Sequence, residues 1–378
     1  MDPDRFRAQF PSMVDTTHLA SCSQGAISAG VTTALAEMAY ALRDQGAPWG
    51  DWMVEVERLR TAVAGFLNAS TSEVALVPSA SHGAFQVANA VDFAGGGVIV
   101  SMAAEFPSVG QVLHAQRPGP GEVRWVGQEA MHTLGVVEAY RAQIDDSTRL
   151  VSVPLALYTN GSLQPVNEIA KHARAVGARV LVDAYQAAGV VPIDVAEIDC
   201  DYLVFGTLKY MLGLAGIAAL FARSGVTDQH PPRMTGWFGR PNPFDFDPTG
   251  LDFPEEARRF ESGTLAIPSV YAARAGIETL NQVDPTTRWE HVENLVAEAG
   301  ARLTEAGETL SRPAPGARPG PQVAVADTDP DTLAAFLATR RIVTAPRGSN
   351  LRVAFHYYNT SDDIDRLCAA IKDYRRQS

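Results

Sequence analysis

The stretch FGTLKYMLG at 205–213 sets one amine, Lys209, between an apolar strand-like run and a glycine-rich one. The chain holds 31 lysines and arginines together, yet only Lys171, Lys209 and Lys372 are lysines. Where arginine serves almost everywhere else, lysine offers what arginine lacks: an amine that can lose its proton and act as a nucleophile. In LVDAYQAAG (181–189), an apolar run ends on Asp183, and Gln186 follows three residues later. A carboxylate at a strand end can hold a ring nitrogen protonated, while the amide reaches a neighbouring oxygen; capping of a following helix is the plainer role for Asp183.

Short β-branched runs must position these groups. They are EVALVP (73–78), GVIVSM (97–102), EVRWVG (122–127), RLVSVPLAL (149–157), ARVLVDA (178–184) and DYLVFG (201–206), with a further apolar strand in YMLGLAGIAALF from residue 210. Helical patterns separate them, such as VNEIAKHARAVG (166–177), and two helices precede them over 30–68. This alternation predicts a mostly parallel sheet covered on both faces, with ligands bound beyond the carboxyl ends of its strands. Asp183 and Lys209 then lie on one rim, ending successive strands. Pyridoxal phosphate needs that pair, an amine for its aldehyde and a carboxylate for its pyridine nitrogen. A lysine snorkelling at the surface is the alternative for Lys209.

The remaining chain bounds the answer. At 378 residues, 46% hydrophobic and 20% charged, it is long enough for a large domain and a smaller one. A Pro-, Phe- and Asp-rich loop near 228–256 leads to long helices (268–282 and 287–310), a proline-rich break at 312–321 and a C-terminal α+β pattern. The net charge of −12, without a basic run, argues against nucleic acid. No apolar run approaches the ~20 residues that span a bilayer, and the N-terminus lacks a signal pattern, so no membrane partner and a cytoplasmic location are expected. Cys22, Cys200 and Cys368 are far apart, which suggests neither disulfide nor metal site.

The run VDAYQAAGVVPIDVAEIDCDYLVFGTLKYMLGLAGIAALF resembles the class V aminotransferase superfamily of fold-type I pyridoxal phosphate enzymes, which includes cysteine desulfurases, kynureninases and isopenicillin N epimerases. The resemblance implies a large cofactor domain (16–256) with a mostly parallel, mixed seven-stranded sheet flanked by helices, and a small α+β domain (1–15 and 257–378). It implies a homodimer with shared sites and an amino-acid-like substrate. In VPSASHGAFQVAN (77–89), Ser81 and His82 fall at the family's phosphate-cup positions, flanked by Ser79, where a helix start suits an anion. In AAEFPSV (103–109), Phe106 takes the position that stacks on the pyridine ring. FESGTLAIPSV (260–270) resembles the Gly-Thr element that reaches the neighbouring subunit's phosphate, through Thr264. MTGWFGRPNPF resembles a kynureninase-like element that sets Trp237 near the site mouth. LRVAFHYYNTSDDIDRL carries the arginine, Arg352, that grips a substrate α-carboxylate. HLASCSQGAIS resembles the opening loop over the substrate, with Ser23 and Gln24 as candidates.

Departures from the family pattern narrow the reaction. RRIVTAPRGSNLRV, where desulfurases carry their cysteine, has none, and Gly263 stands near where kynureninases carry an asparagine. The serine three residues before the lysine is Gly206, and the preceding histidine is Leu208, which leaves Thr207 as a substitute phosphate contact. The expected reaction is β-elimination from a cysteine S-conjugate or related substrate of specialised metabolism, a carbon–sulfur lyase activity. Decarboxylation-coupled oxidative deamination to an aldehyde, transamination, epimerisation, kynureninase-like hydrolysis and a non-catalytic cofactor-binding regulator are the alternatives.

Overall fold

The structure, a computed structural model, describes residues 1–93, 96–115, 122–226 and 230–377. Twelve strands occur among these residues. β1 is Thr17–His18, β2 Val74–Val77, β3 Val98–Met102, β4 Val123–Val126, β5 Thr148–Pro154, β6 Arg179–Asp183, β7 Tyr202–Gly206 and β8 Ala218–Ala222. β9 is Gln322–Ala326, β10 Ile342–Val343, β11 Ala345–Arg347 and β12 Asn350–Ala354. β2 to β8 form one seven-stranded sheet in the order β2-β8-β7-β6-β5-β3-β4. Only β8 runs against its neighbours, so the sheet is mixed but mostly parallel, as the sequence predicts.

Parallel strands bury both faces, and the runs read accordingly: β2, β3, β7 and β8 are buried at every residue. Helices cover them, including Ala80–Ala90 over β7 and Val166–Ala175 over β5 and β6. Gly83 permits the first of these contacts, since a Cβ there would meet Val204 Cγ2 at 2.7 Å. The expected helices over 30–68 are Ala29–Gln45 and Trp49–Leu67, each packed on Ile267–Leu280. The loop expected over 228–256 contains two short 3₁₀ turns, Trp237–Gly239 and Pro243–Asp245, while its residues 228 and 229 lie outside the described residues.

The C-terminal part builds its own antiparallel sheet, β11-β12-β9, against which Pro330–Thr339 and Pro285–Glu305 pack, with Ser361–Arg375 lying on both helices. The N-terminal segment joins it: β1 pairs with β10, and Ala20 bridges to Ala354. Among the described residues no helix is long and apolar enough to cross a membrane.

Candidate cofactor and substrate site

The parallel register brings three strand ends together. Asp183, the last residue of β6, stands opposite Pro154 of β5 and Val204 of β7. A turn follows it instead of a helix, so helix capping is not its role. Its Oδ1 accepts the Tyr185 N–H at 2.8 Å, while burial pushes its pKa up against the opposing pull of that hydrogen bond and of Lys209.

Lys209 follows β7 by three residues, in a loop that folds back on itself: the Gly213 N–H donates to the Thr207 carbonyl and the Thr207 hydroxyl to the Leu214 carbonyl. Its Nζ lies over two aromatic rings, 4.1 Å from the Tyr185 centroid and 5.3 Å from that of Phe106. The side chain is 9% exposed, and burial pulls its pKa down to about 8 although Asp183 opposes this. The lysine is therefore a buried amine and not a snorkelling surface cation.

A second carboxylate lines the same pocket. Glu105 is buried beside Asp183; burial first and the Asp183 charge second drive its pKa well up. Both carboxyls are pushed up, Glu105 the more strongly, because the Tyr185 N–H and Lys209 favour the charged form of Asp183. The Glu105 Oε1 also accepts the Phe106 N–H at 2.7 Å, which fixes the backbone behind the stacking ring.

Gln186 donates from Nε2 to the Cys22 carbonyl at 3.2 Å, and its buried Oε1 has no hydrogen-bond partner among the described residues. Arg352, on β12, is 2% exposed; it donates from Nε to the Ala345 carbonyl at 3.0 Å and from Nη1 to the Tyr158 carbonyl at 2.8 Å. None of its contacts among the described residues is a carboxylate. Among the described residues the buried guanidinium is held by carbonyls and has no counter-charge. The Tyr158 ring stands edge-on to Phe106 at 5.3 Å, so the arginine and the aromatic wall share one support.

Ser79 caps the Ala80–Ala90 helix, its hydroxyl accepting the His82 N–H at 3.2 Å, and Ser81 lies in the first turn. His82 contacts Gln86, and partial burial lowers its pKa. The helix start overlies β7 beside Asp183, through Gly83 and Val204. Gln24 donates to the carbonyls of Gly25 and, at 3.5 Å, of Gly213, which ties the opening loop to the lysine loop. Ser23 and Thr264 are exposed, and no contact within the described chain draws either to Lys209. Trp237 lies in an aromatic cluster with Trp49, Phe238, Phe244 and Phe246, apart from the residues lining the lysine pocket.

Sequence reading passed over four residues of the site. Tyr185 sat inside the Asp-x-x-Gln run, Glu105 beside Phe106, and Tyr158 just past the β5 strand, but nothing local marks them as neighbours of Lys209. Cys22 read as an inert small side chain; it is buried beside Gln186, with Lys209 and Arg352 near enough to oppose the upward push that burial gives its thiol.

A buried amine beside two aromatic rings, a carboxylate at the adjacent strand end and an unsatisfied amide oxygen fit pyridoxal phosphate. Site and fold together define a pyridoxal phosphate-dependent enzyme of fold type I. Residues 27–367 match the family described as aminotransferase class-V, and the chain belongs to it. It is 34% identical over 371 residues to the uncharacterized aminotransferase YcbU of Bacillus subtilis (strain 168), covering 97% of this chain and 98% of that one. It is 27% identical over 339 residues to a probable cysteine desulfurase of Methanothermobacter thermautotrophicus, covering 84% and 83%. In fold it is similar to the cystine C–S lyase C-DES, solved with its product cysteine persulfide, at a TM-score of 0.88 and 23% identity over 97% of this chain and 99% of that one.

Proposed function

We propose that the chain breaks a carbon–sulfur bond by β-elimination from a cysteine S-conjugate or a related β-substituted amino acid of specialised metabolism. When bound, pyridoxal phosphate supplies an aldehyde for the amino group and an electron sink for the charge that develops at the α-carbon. The chain supplies the rest. Arg352 receives the α-carboxylate through a planar, charge-assisted pair. Lys209, with a pKa near 8, takes the α-proton at its neutral Nζ. Asp183, whose charged form the Tyr185 N–H and Lys209 favour, would keep the ring nitrogen protonated. Phe106 and Tyr185, whose rings lie 5.3 and 4.1 Å from the amine, help exclude water from it. The thiolate leaves with the bonding electrons and is protonated; the three-carbon remainder hydrolyses to pyruvate and ammonia.

The thiol inventory carries this choice over a persulfide-forming desulfurase. A desulfurase cysteine must be a reachable thiolate, yet Cys22 is buried with its thiol pushed up, Cys200 is buried and raised to about 12, and Cys368 sits half-buried on the Ser361–Arg375 helix. The family resemblance supports a homodimer, in which Thr264 would serve the partner's site and Trp237 would stand near the site mouth; Thr264 is exposed and Trp237 partly exposed in the single chain.

Incubating the holoenzyme with cysteine S-conjugates tests the reading. Pyruvate and free thiol should form without added keto acid, and Cys22→Ser should retain the activity. Carbon dioxide with an aldehyde, dependence on a keto acid, epimerised substrate, or a protein persulfide lost with Cys22→Ser would each overturn it.

A further inference from the structure

Gly206 poses a question that its backbone does not answer. It closes β7, three residues before Lys209, in ordinary strand conformation, so no left-handed angle demands glycine there. Space demands it: a Cβ at Gly206 would lie 2.2 Å from the Tyr185 hydroxyl oxygen and 2.3 Å from its Cζ. The tyrosine head therefore occupies the volume that a side chain at 206 would fill. The same ring passes 4.1 Å from Lys209 Nζ, which also lies 5.3 Å from the Phe106 ring, and the Tyr185 backbone N–H is held by Asp183. Burial first and the Asp183 charge second raise the phenol's pKa, which keeps it a neutral donor. No protein acceptor for this hydroxyl occurs among the described residues. It points to the strand end over which the Ala80–Ala90 helix begins, where Gly83 meets Val204.

We propose that Tyr185 holds the cofactor in two ways: its ring is a wall of the site beside Lys209, and its hydroxyl donates to the phosphate in place of the side chain that Gly206 lacks. Tyr185 and Gly206 are then one device, since the hydroxyl fits only where residue 206 has no Cβ. The device belongs to cofactor binding and does not depend on which bond the enzyme breaks.

Binding of two probes to the cofactor-free protein, pyridoxal phosphate and pyridoxal, separates ring from phosphate contacts by absorbance or fluorescence titration. Tyr185→Phe keeps the ring, so its apparent Kd for pyridoxal phosphate should rise roughly ten- to a hundredfold, the loss expected for one hydrogen bond to a charged group, with pyridoxal binding unchanged. Gly206→Ser alone should weaken pyridoxal phosphate binding by crowding the tyrosine. In the Tyr185→Ala background the same serine has room, and should tighten pyridoxal phosphate relative to Tyr185→Ala. Equal losses for both probes with Tyr185→Phe would reduce Tyr185 to a ring wall and overturn the phosphate contact, as would no loss at all. A serine that weakens binding equally in both backgrounds would overturn the pairing with Gly206.

Discussion

A pKa near 8 leaves about a tenth of the Lys209 amine neutral at pH 7, against far less than a hundredth for an ordinary lysine. Only the neutral amine attacks an aldehyde. Because the pKa is lowered, the reactive form grows as pH rises through about 8 and saturates above it. The rate at which cofactor-free protein captures pyridoxal phosphate should follow that curve in stopped-flow absorbance; a rise that continues to pH 10 would mean the lysine is not buried as described. Arg352 makes a complementary prediction. Its two carbonyl contacts leave its charge for the substrate, so Arg352→Ala should lower kcat/KM by at least about a hundredfold, chiefly through KM. Arg352→Lys should recover little of this, since an ammonium cannot form the planar pair. An unchanged KM in either variant would remove Arg352 from substrate binding.

At the scale of elements, the C-terminal motif does more than carry an arginine. His356 Nδ1 accepts the Tyr357 N–H, which makes Nε2 the donor to the Tyr210 carbonyl at 3.0 Å, one residue beyond Lys209. Asn359 accepts the His356 N–H and donates to the His18 carbonyl and to Asp363, which in turn pairs with Arg7. The lysine loop, β1 and the N-terminal helix Pro3–Arg7 are thus clamped by residues 356–363. Asn359→Ala would leave several of these buried groups unpaired and should cost about 2–3 kcal/mol, read as a lower urea midpoint at unchanged slope. Normal stability in this variant would show that water replaces the amide. Burial also lowers the His356 pKa to about 3. The unfolded chain then takes up a proton below about pH 6.5 that the folded chain refuses, so stability falls as pH drops from there toward 3.

For the whole molecule, the aromatic cluster around Trp237 leaves large apolar surface in water: Phe246 is 71% exposed, Phe244 49% and Trp49 37%. Clustered exposed aromatics of this kind mark an association surface. Together with exposed Thr264, they support the proposed homodimer. Light scattering should give twice the 40.5 kDa chain mass at micromolar concentration, and Phe244→Glu with Phe246→Glu should shift it toward one. A wild-type chain that stays monomeric would leave Thr264 without the partner's phosphate to reach.

The strands, the mixed sheet and the ends that hold Asp183 and Lys209 were legible in the sequence, because a strand buried on both faces must be apolar throughout and a mostly parallel sheet must aim its ends at one rim. Arginine prevalence made the exceptional lysine visible. Hidden in the sequence were partners whose meaning comes from contacts across the fold. Glu105 acts only through its closeness to Asp183, Tyr158 only by bridging Phe106 and Arg352, and Cys22 comes beside Gln186 from more than 160 residues away in the chain. Gly206 shows the division most plainly. Its identity alone reads as a missing contact, and only the tertiary structure shows that the head of Tyr185 fills that space.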